Sequence, residues 1–358
     1  MDNQYTKNDT DVSKGIAVCL LLAHHLFIEH PEMGMKVFGY TIAYQIAILS
    51  KVCVAIFAIL SGYGLNERYK PNLKTLRVFY GERFVKIFIN YWFMWVVFVP
   101  VGIIFFDRNI KTVYGSYPIL KLILNIFGVH YYFGILGYNM TWWYMSVLVA
   151  LYLMFPFIRG LIHRYGIYGL FLTGLTLIVS VNPIPDRFSI QFVMEYIFPF
   201  TLGVYLSENN GLLKLRDLYK DHQATKMAIY FVLFCVIIVQ RKYGLLINGT
   251  RIDGIFGLLI IMIGYEYFSK IHWLKNSLTI LGQHLFNIFL FHTFIFYYYF
   301  PGFIYGFKYP VVIFVVLLGV CLVISILLEK FKGLLRMGKV EEILFGHTGN
   351  LTIVREKH

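Results

Sequence analysis

The stretch Val12–His30 reads VSKGIAVCLLLAHHLFIEH. Between Lys14 and His24 it holds nothing but apolar or small side chains, and it opens on a lysine and closes on paired histidines. A helix of about 20 such residues crosses a hydrocarbon core of about 30 Å. Comparable apolar stretches follow along the whole chain, approximately at Tyr40–Leu65, Phe84–Phe106, Thr141–Ile162, Ile167–Val181, Ile190–Leu206, Met227–Val239, Ile252–Phe268, Leu278–Tyr299 and Pro310–Leu328. With Val12–His30 they make ten. The chain therefore reads as an all-α, polytopic integral membrane protein of about ten transmembrane helices. Ile119–Leu136 is apolar too, but Lys121, Asn125, His130 and two glycines interrupt it, so it reads as an amphipathic or re-entrant segment.

Composition agrees. Of 358 residues, 58% are hydrophobic and only 14% charged, with a mean hydropathy of +0.66, whereas soluble domains carry about a quarter charged residues. The four cysteines, Cys19, Cys53, Cys235 and Cys321, all lie in apolar runs without paired spacing, which fits small packed residues better than disulfides or a metal centre. No metal site and no permanently bound cofactor is expected. The first apolar run lacks a small-residue cleavage site and is expected to stay as an anchor.

Lysine and arginine are retained on the cytoplasmic side. With the N-terminus inside, 22 of the 32 Lys and Arg fall in cytoplasmic segments and nine in outer loops, with Lys51 inside a span. One span more or fewer would invert every later loop and blur this bias, so both termini read as cytoplasmic. Residues 1–330 form the membrane domain and 331–358 a short basic cytoplasmic tail. The net charge of +13 is thereby accounted for by topology and contact with anionic lipids, and no nucleic-acid partner is implied.

Ionisable groups at membrane depth are costly and usually functional or turned into the bundle. An α-helix advances about 100° per residue, so the 11 steps from Lys14 to His25 return to almost the same face, whereas His24 points elsewhere. His25 would stand roughly 16 Å above Lys14. That stripe suits an anionic donor held at the cytoplasmic end with its reactive carbonyl delivered to an imidazole able to take a proton near neutral pH. On spacing alone, a snorkelling Lys14 and an interhelical hydrogen bond from His25 remain an equal reading. Arg83 and Lys86 share a helix face at the inner surface and suit phosphate groups, although every inner loop is basic. Ser61 and Gly62 close the second span, where they either meet a carbonyl or simply let helices pack. Trp142, Trp143 and Tyr144 fall at the outer interface, as an aromatic belt or as a platform for a sugar face. Lys51, Glu195 and Glu266 should each pair or face a polar cavity; Glu195 either orients His25 or pairs with Lys51. His284 and His292 carry the same ambiguity.

These residues together resemble the acyltransferase family 3 membrane proteins. Lys14 and His25 match a basic residue, ten intervening residues and a histidine in the first span. FAILSG at Phe57–Gly62 is similar to Phe-Phe-x-x-Ser-Gly, with Ala58 for the second aromatic. Arg83 and Lys86 match Arg-x-x-Arg, with lysine second. WWYMSVLVALYLMFP at Trp142–Pro156 and LGQHLFNIFLFH at Leu281–His292 resemble the fourth-span and late Gly-to-His patterns, although Leu285 and Phe289 stand where Ser and Tyr are usual. The resemblance implies a bacterial cell-membrane O-acyltransferase, acetyl most often, that uses acyl-CoA (acetyl-CoA) as co-substrate and a hydroxyl of a surface polysaccharide or lipid-linked glycan as acceptor. His25 would be the general base, Lys14, Ser61, Gly62, Arg83 and Lys86 the donor site, and Trp142, Trp143, Glu195 and His292 acceptor-binding or supporting residues. Members with an added extracytoplasmic hydrolase-like domain exist; the expectation here is that no such domain follows the last span. Direct transfer and a covalent acyl-enzyme both remain open. The rival classes are a glycan flippase or transporter, which needs no CoA turnover, and a glycan polymerase or ligase, which needs a lipid-linked sugar donor.

The charge bias yields a direct test. Reporter tags fused at residue 1 and residue 358 should both report cytoplasm and a tag near Arg108 the exterior; opposite locations for the two termini would overturn the even span count.

Overall fold

The computed structural model describes residues 5–37, 39–70, 75–179, 190–243 and 249–338. Helix α1 (Lys7–Phe27) begins where Thr6 and Asp9 form a reciprocal capping box, the Asp9 N–H donating to Thr6 Oγ1 at 3.2 Å and the Thr6 N–H to the Asp9 carboxylate at 2.9 Å. The two first-turn donors that no helix can satisfy internally are thus fixed by four residues of local sequence. A pair of two-residue strands, Lys36–Val37 and Tyr40–Thr41, turns the chain into α2 (Ile42–Ser50) and α3 (Cys53–Tyr69). There follow α4 (Leu76–Phe105), the short α5 (Ile110–Tyr114) and α6 (Pro118–Ile126), then α7 (Trp143–Tyr165), α8 (Ile167–Val179) and α9 (Ile190–Glu208). The chain continues through α10 (Gly211–Asp217), α11 (Gln223–Tyr243), α12 (Asp253–Glu266), α13 (His272–Gln283), α14 (Leu285–Thr293), α15 (Pro301–Tyr305) and α16 (Pro310–Leu334).

Over the described residues the apolar stretches picked out from the sequence fall mainly on helix, and Ile119–Leu136 forms only the nine-residue α6 and a 3-10 turn at His130–Phe133. Among the described residues, five helical units are long and apolar enough to cross a membrane: Ile42–Tyr69, Leu76–Phe105, Met140–Tyr165, Gln223–Tyr243 and Pro310–Leu334. A sixth is the pair His272–Gln283 and Leu285–Tyr299 if its two arms count as one span. The protein is an all-helical membrane protein by this measure.

Two of the stretches are interrupted. The second stretch is not one continuous helix. It breaks at Lys51–Val52, where the Leu49 carbonyl accepts both from the Val52 N–H at 3.3 Å and from Arg241 Nη1 at 2.8 Å, while Arg241 Nε pairs with Asp253 at 3.2 Å. The ninth stretch bends by 65° at His284, whose Nδ1 lies 2.8 Å from Ser325 Oγ of α16. The last stretch lies on α16, which runs to Leu334. The tail beyond residue 338 lies outside the described residues, as do Pro71–Lys74 and residues 180–189, which include the end of the fifth stretch at Val181.

Two helix crossings bring backbone onto backbone. At the crossing of α3 and α9, a Cβ on Gly62 would sit 2.1 Å from the Phe200 carbonyl oxygen and one on Gly203 2.0 Å from that of Ile59. At the crossing of α1 and α13, Gly15 and Gly282 meet Leu278 and Asp11 in the same way, at 2.1 and 1.9 Å. Without water to drive helices together, close van der Waals contact through small residues is the main attraction. Buried ion pairing supplements it where Lys226 and Glu266, each 4% exposed, lie 2.5 Å apart and join α11 to α12.

Gly203→Val should therefore abolish the folded protein, read as loss of a monodisperse peak after detergent extraction, because backbone cannot yield as a side chain does. Gly319→Ala, with no atom within 4 Å of the new methyl, should leave extraction unchanged.

Candidate active site

A cavity of about 940 Å³ opens at the end of the bundle that carries the basic loops. Its mouth is lined by Lys7, Lys14, Arg68, Arg83 and Lys86, and Ser61 lies on its wall. Four of the five residues expected to hold a donor, Lys14, Ser61, Arg83 and Lys86, thus come together from α1, α3 and α4. The fifth, Gly62, faces away and is spent on the α9 crossing. Lys14 Nζ is held 2.8 Å from Asp11 and stays 32% exposed. Arg83 lies over the Tyr152 ring, 4.9 Å from its centroid, and its Nη2 donates to the Tyr152 hydroxyl at 3.3 Å. Its Nε is buried without a hydrogen-bond partner among the described residues. A planar cation anchored on a ring at one edge and unpaired at another is prepared for an anion.

The wall opposite is polar in another way. Lys332, 8% exposed, donates to Asn90 Oδ1 at 2.7 Å, Asn287 Oδ1 at 2.8 Å and Glu329 at 2.8 Å. All three ammonium donors are used, so this lysine ties α4, α14 and α16 together beside the cavity. Deeper in, the lining turns apolar, with Leu60, Ile87, Leu148 and Phe286, and it ends on Phe57, Tyr144 and Phe289. The Tyr144 ring lies 6.1 Å from Phe57 and 5.7 Å from Phe289, centroid to centroid.

The histidines stand just beyond this collar. His25 is partly exposed, and its ring lies 5.1 Å from that of His292 and 4.9 Å from that of His24. No described residue hydrogen-bonds to the His25 ring. His24 is different: its Nδ1 donates to the Ala47 carbonyl at 2.8 Å, which ties α1 to α2. His292 is fully buried, with Nδ1 2.8 Å from the Ile288 carbonyl and 3.1 Å from that of Phe289. Carbonyls only accept, so Nδ1 carries hydrogen, and Nε2 of the neutral ring keeps a lone pair. That Nε2 is buried with no partner among the described residues.

The aromatic and acidic supporting residues divide. Trp142 is fully buried, and its indole N–H donates to the Leu290 carbonyl at 2.8 Å. An open sugar platform on Trp142 is therefore ruled out; burying so large a ring with its one donor satisfied makes it a core residue that fixes α14. Trp143 is half-buried, packed against Tyr131, Phe192 and Tyr196. Glu195 has Lys51 and Arg251 as its neighbouring charges. Among the described residues no group of three or more His, Cys, Asp or Glu is arranged to hold a metal. The sequence did not single out Lys7, Arg68, Asn90, Asn287 or Lys332 as part of a site; they reach the cavity from separate helices, and no local spacing connects them.

The pattern of the acyltransferase domain family, acyltransferase family 3, matches residues 8–330. The chain belongs to that family, and it is a membrane acyltransferase. No curated protein and no solved structure matches it.

The neighbouring histidines separate by role. His24→Ala should lower thermal stability, since it deletes the bond to Ala47, and leave much of the acyl transfer. His25→Ala should insert and extract normally yet lose about 10²- to 10⁴-fold in rate, the range for removing a general base. Near-parental transfer by a normally inserted His25→Ala would make that imidazole structural.

Proposed function

We propose that this protein is a ten-span O-acyltransferase with both termini in the cytoplasm. It moves an acyl group, acetyl by preference, from cytoplasmic acyl-CoA to a hydroxyl of an extracytoplasmic polysaccharide or lipid-linked glycan at a bacterial cell membrane. One observation carries the reading: a single cavity has cations at its mouth, an apolar throat and a pair of histidines just past its inner end. That gradient matches the chemistry of acyl-CoA, which is polyanionic at one end and carries its thioester at the other. The volume lies within the range of small-molecule sites.

In this reading Arg83 and Lys86 engage phosphate oxygens, Lys14 adds charge at the same mouth, and Ser61 meets the chain of the donor midway. His25 is the general base. An N–H of His25 directed at the free Nε2 of His292 would set its tautomer and leave its other nitrogen to accept the proton of the acceptor hydroxyl. His292 is then a positioning residue, with Nδ1–H pinned by two carbonyls. The hydroxyl oxygen attacks the thioester carbonyl carbon, the C–S bond breaks, and the proton held by His25 passes to the departing thiolate. Half-buried Trp143 and Glu195 support the acceptor side.

Purified protein incubated with acetyl-labelled acetyl-CoA and a glycan fraction from the producing cells should transfer label and release CoA. A double variant, Arg83→Gln with Lys86→Gln, should raise the KM for acetyl-CoA at least tenfold while moving that for the glycan little. Unchanged donor dependence in the folded variant would return both cations to a topological role.

A further inference from the structure

Transfer through a thioester needs a donor for the oxygen that gains charge when the carbonyl is attacked, and neither histidine supplies one: His25 is occupied by the proton, and His292 presents a lone pair. Tyr144 is the nearest candidate, an unpaired donor on a residue that lines the cavity. Its ring closes the inner end of the cavity between Phe57 and Phe289. It is only 4% exposed, and its hydroxyl has no hydrogen-bond partner among the described residues. A buried phenol left unpaired in apolar surroundings is destabilising, and buried polar groups are nearly always satisfied. Three other buried tyrosines follow it: Tyr91 donates to the Asn125 carbonyl, Tyr138 to that of Arg108 and Tyr299 to that of Phe98.

The position along α14 supplies the second observation. Phe289, which touches the Tyr144 ring, and His292, which touches His25, are three residues apart on one helix, hence about 4.5 Å apart along its axis. A thioester carbonyl advancing through the collar would meet the phenol on the cytoplasmic side of the histidine pair, with the attacking hydroxyl coming from the other side.

We propose that Tyr144 is a catalytic residue that donates a hydrogen bond to the thioester carbonyl oxygen and to the oxyanion that forms from it. The proposal rests on the acyl-CoA reading above. As the acceptor oxygen bonds to the carbonyl carbon, the carbonyl π pair moves onto oxygen, where the Tyr144 O–H stabilises it without giving up its proton. The tetrahedral species then collapses, the C=O bond reforms, the C–S bond breaks, and the sulfur takes the proton held by His25. The phenol is unchanged at the end, and no other reagent is consumed.

The test compares the full-length parent with Tyr144→Phe in detergent, using acetyl-CoA with the extracted glycan fraction for turnover and free CoA, which lacks the carbonyl, for binding. Turnover should fall about 10²- to 10³-fold, the loss seen when one oxyanion donor is removed. Binding of free CoA and the melting temperature should not fall, because the deleted hydroxyl has no hydrogen-bond partner among the described residues. Parental turnover in Tyr144→Phe overturns the proposal, and so does a rate loss matched by an equal loss of CoA binding or by destabilisation, each of which marks a structural tyrosine. A parent protein that binds no CoA and turns over no acetyl-CoA sinks the donor reading itself, and the role of Tyr144 with it.

Discussion

The architecture depends on two places where helix backbones touch. Gly62 and Gly203 let α3 and α9 cross with no side chain between them, and Gly15 and Gly282 do the same for α1 and α13. Each crossing fixes the neighbour of a glycine: Lys14 precedes Gly15, Ser61 precedes Gly62 and Gln283 follows Gly282, and all three line the cavity. The small residue sets the distance and rotation of the helix, and the polar residue beside it is thereby turned to the interior. A Ser-Gly pair at the end of a span thus has two jobs in adjacent positions, and only the glycine's is packing.

Within a membrane bundle, the partners of buried polar groups distinguish scaffold from chemistry. Trp142, His24, Lys226, Glu266 and Lys332 all sit in the apolar interior with their hydrogen-bonding capacity met by a backbone carbonyl, a counter-charge or an amide. Removing one partner from such a pair leaves the other stranded, so these contacts hold the helices in register. Arg83 Nε, Tyr144 Oη and His292 Nε2 are the exceptions around the cavity, each buried and unmatched among the described residues. They lie in order from mouth to inner end, along the path that a long, polyanionic acyl donor would follow. For Arg83 and Tyr144, which line the cavity, the free energy lost in keeping these atoms unpaired is a reason to expect a ligand that pairs them, whereas His292 Nε2 belongs to the ring beside His25.

The broken and bent helices serve the same end. A straight helix through Lys51 or His284 would carry its polar groups along one continuous face. The break at Lys51–Val52 is held open by Arg241 on the Leu49 carbonyl, and the 65° bend at His284 redirects α14 so that Phe289 and His292 meet Tyr144 and His25. Satisfying freed backbone groups with side chains of neighbouring helices is what makes such interruptions tolerable at membrane depth.

Hydrophobic runs of membrane length, a basic residue eleven positions before a histidine, and Arg83 three positions before Lys86 are all properties of single helices, so the sequence by itself determined the helical membrane class, the stripe from Lys14 to His25 and the pairing of two cations on one face. The family pattern rests on the same local spacings. What no local spacing encodes is which helices adjoin. That Arg83 leans on Tyr152, that His292 stands beside His25, that Trp142 is core and not platform, and that Tyr144 is left without a partner were decided only by the tertiary packing. In an apolar interior each polar atom's role depends on what the next helix offers it, and that is a contact between residues as much as 267 positions apart, as His25 and His292 are.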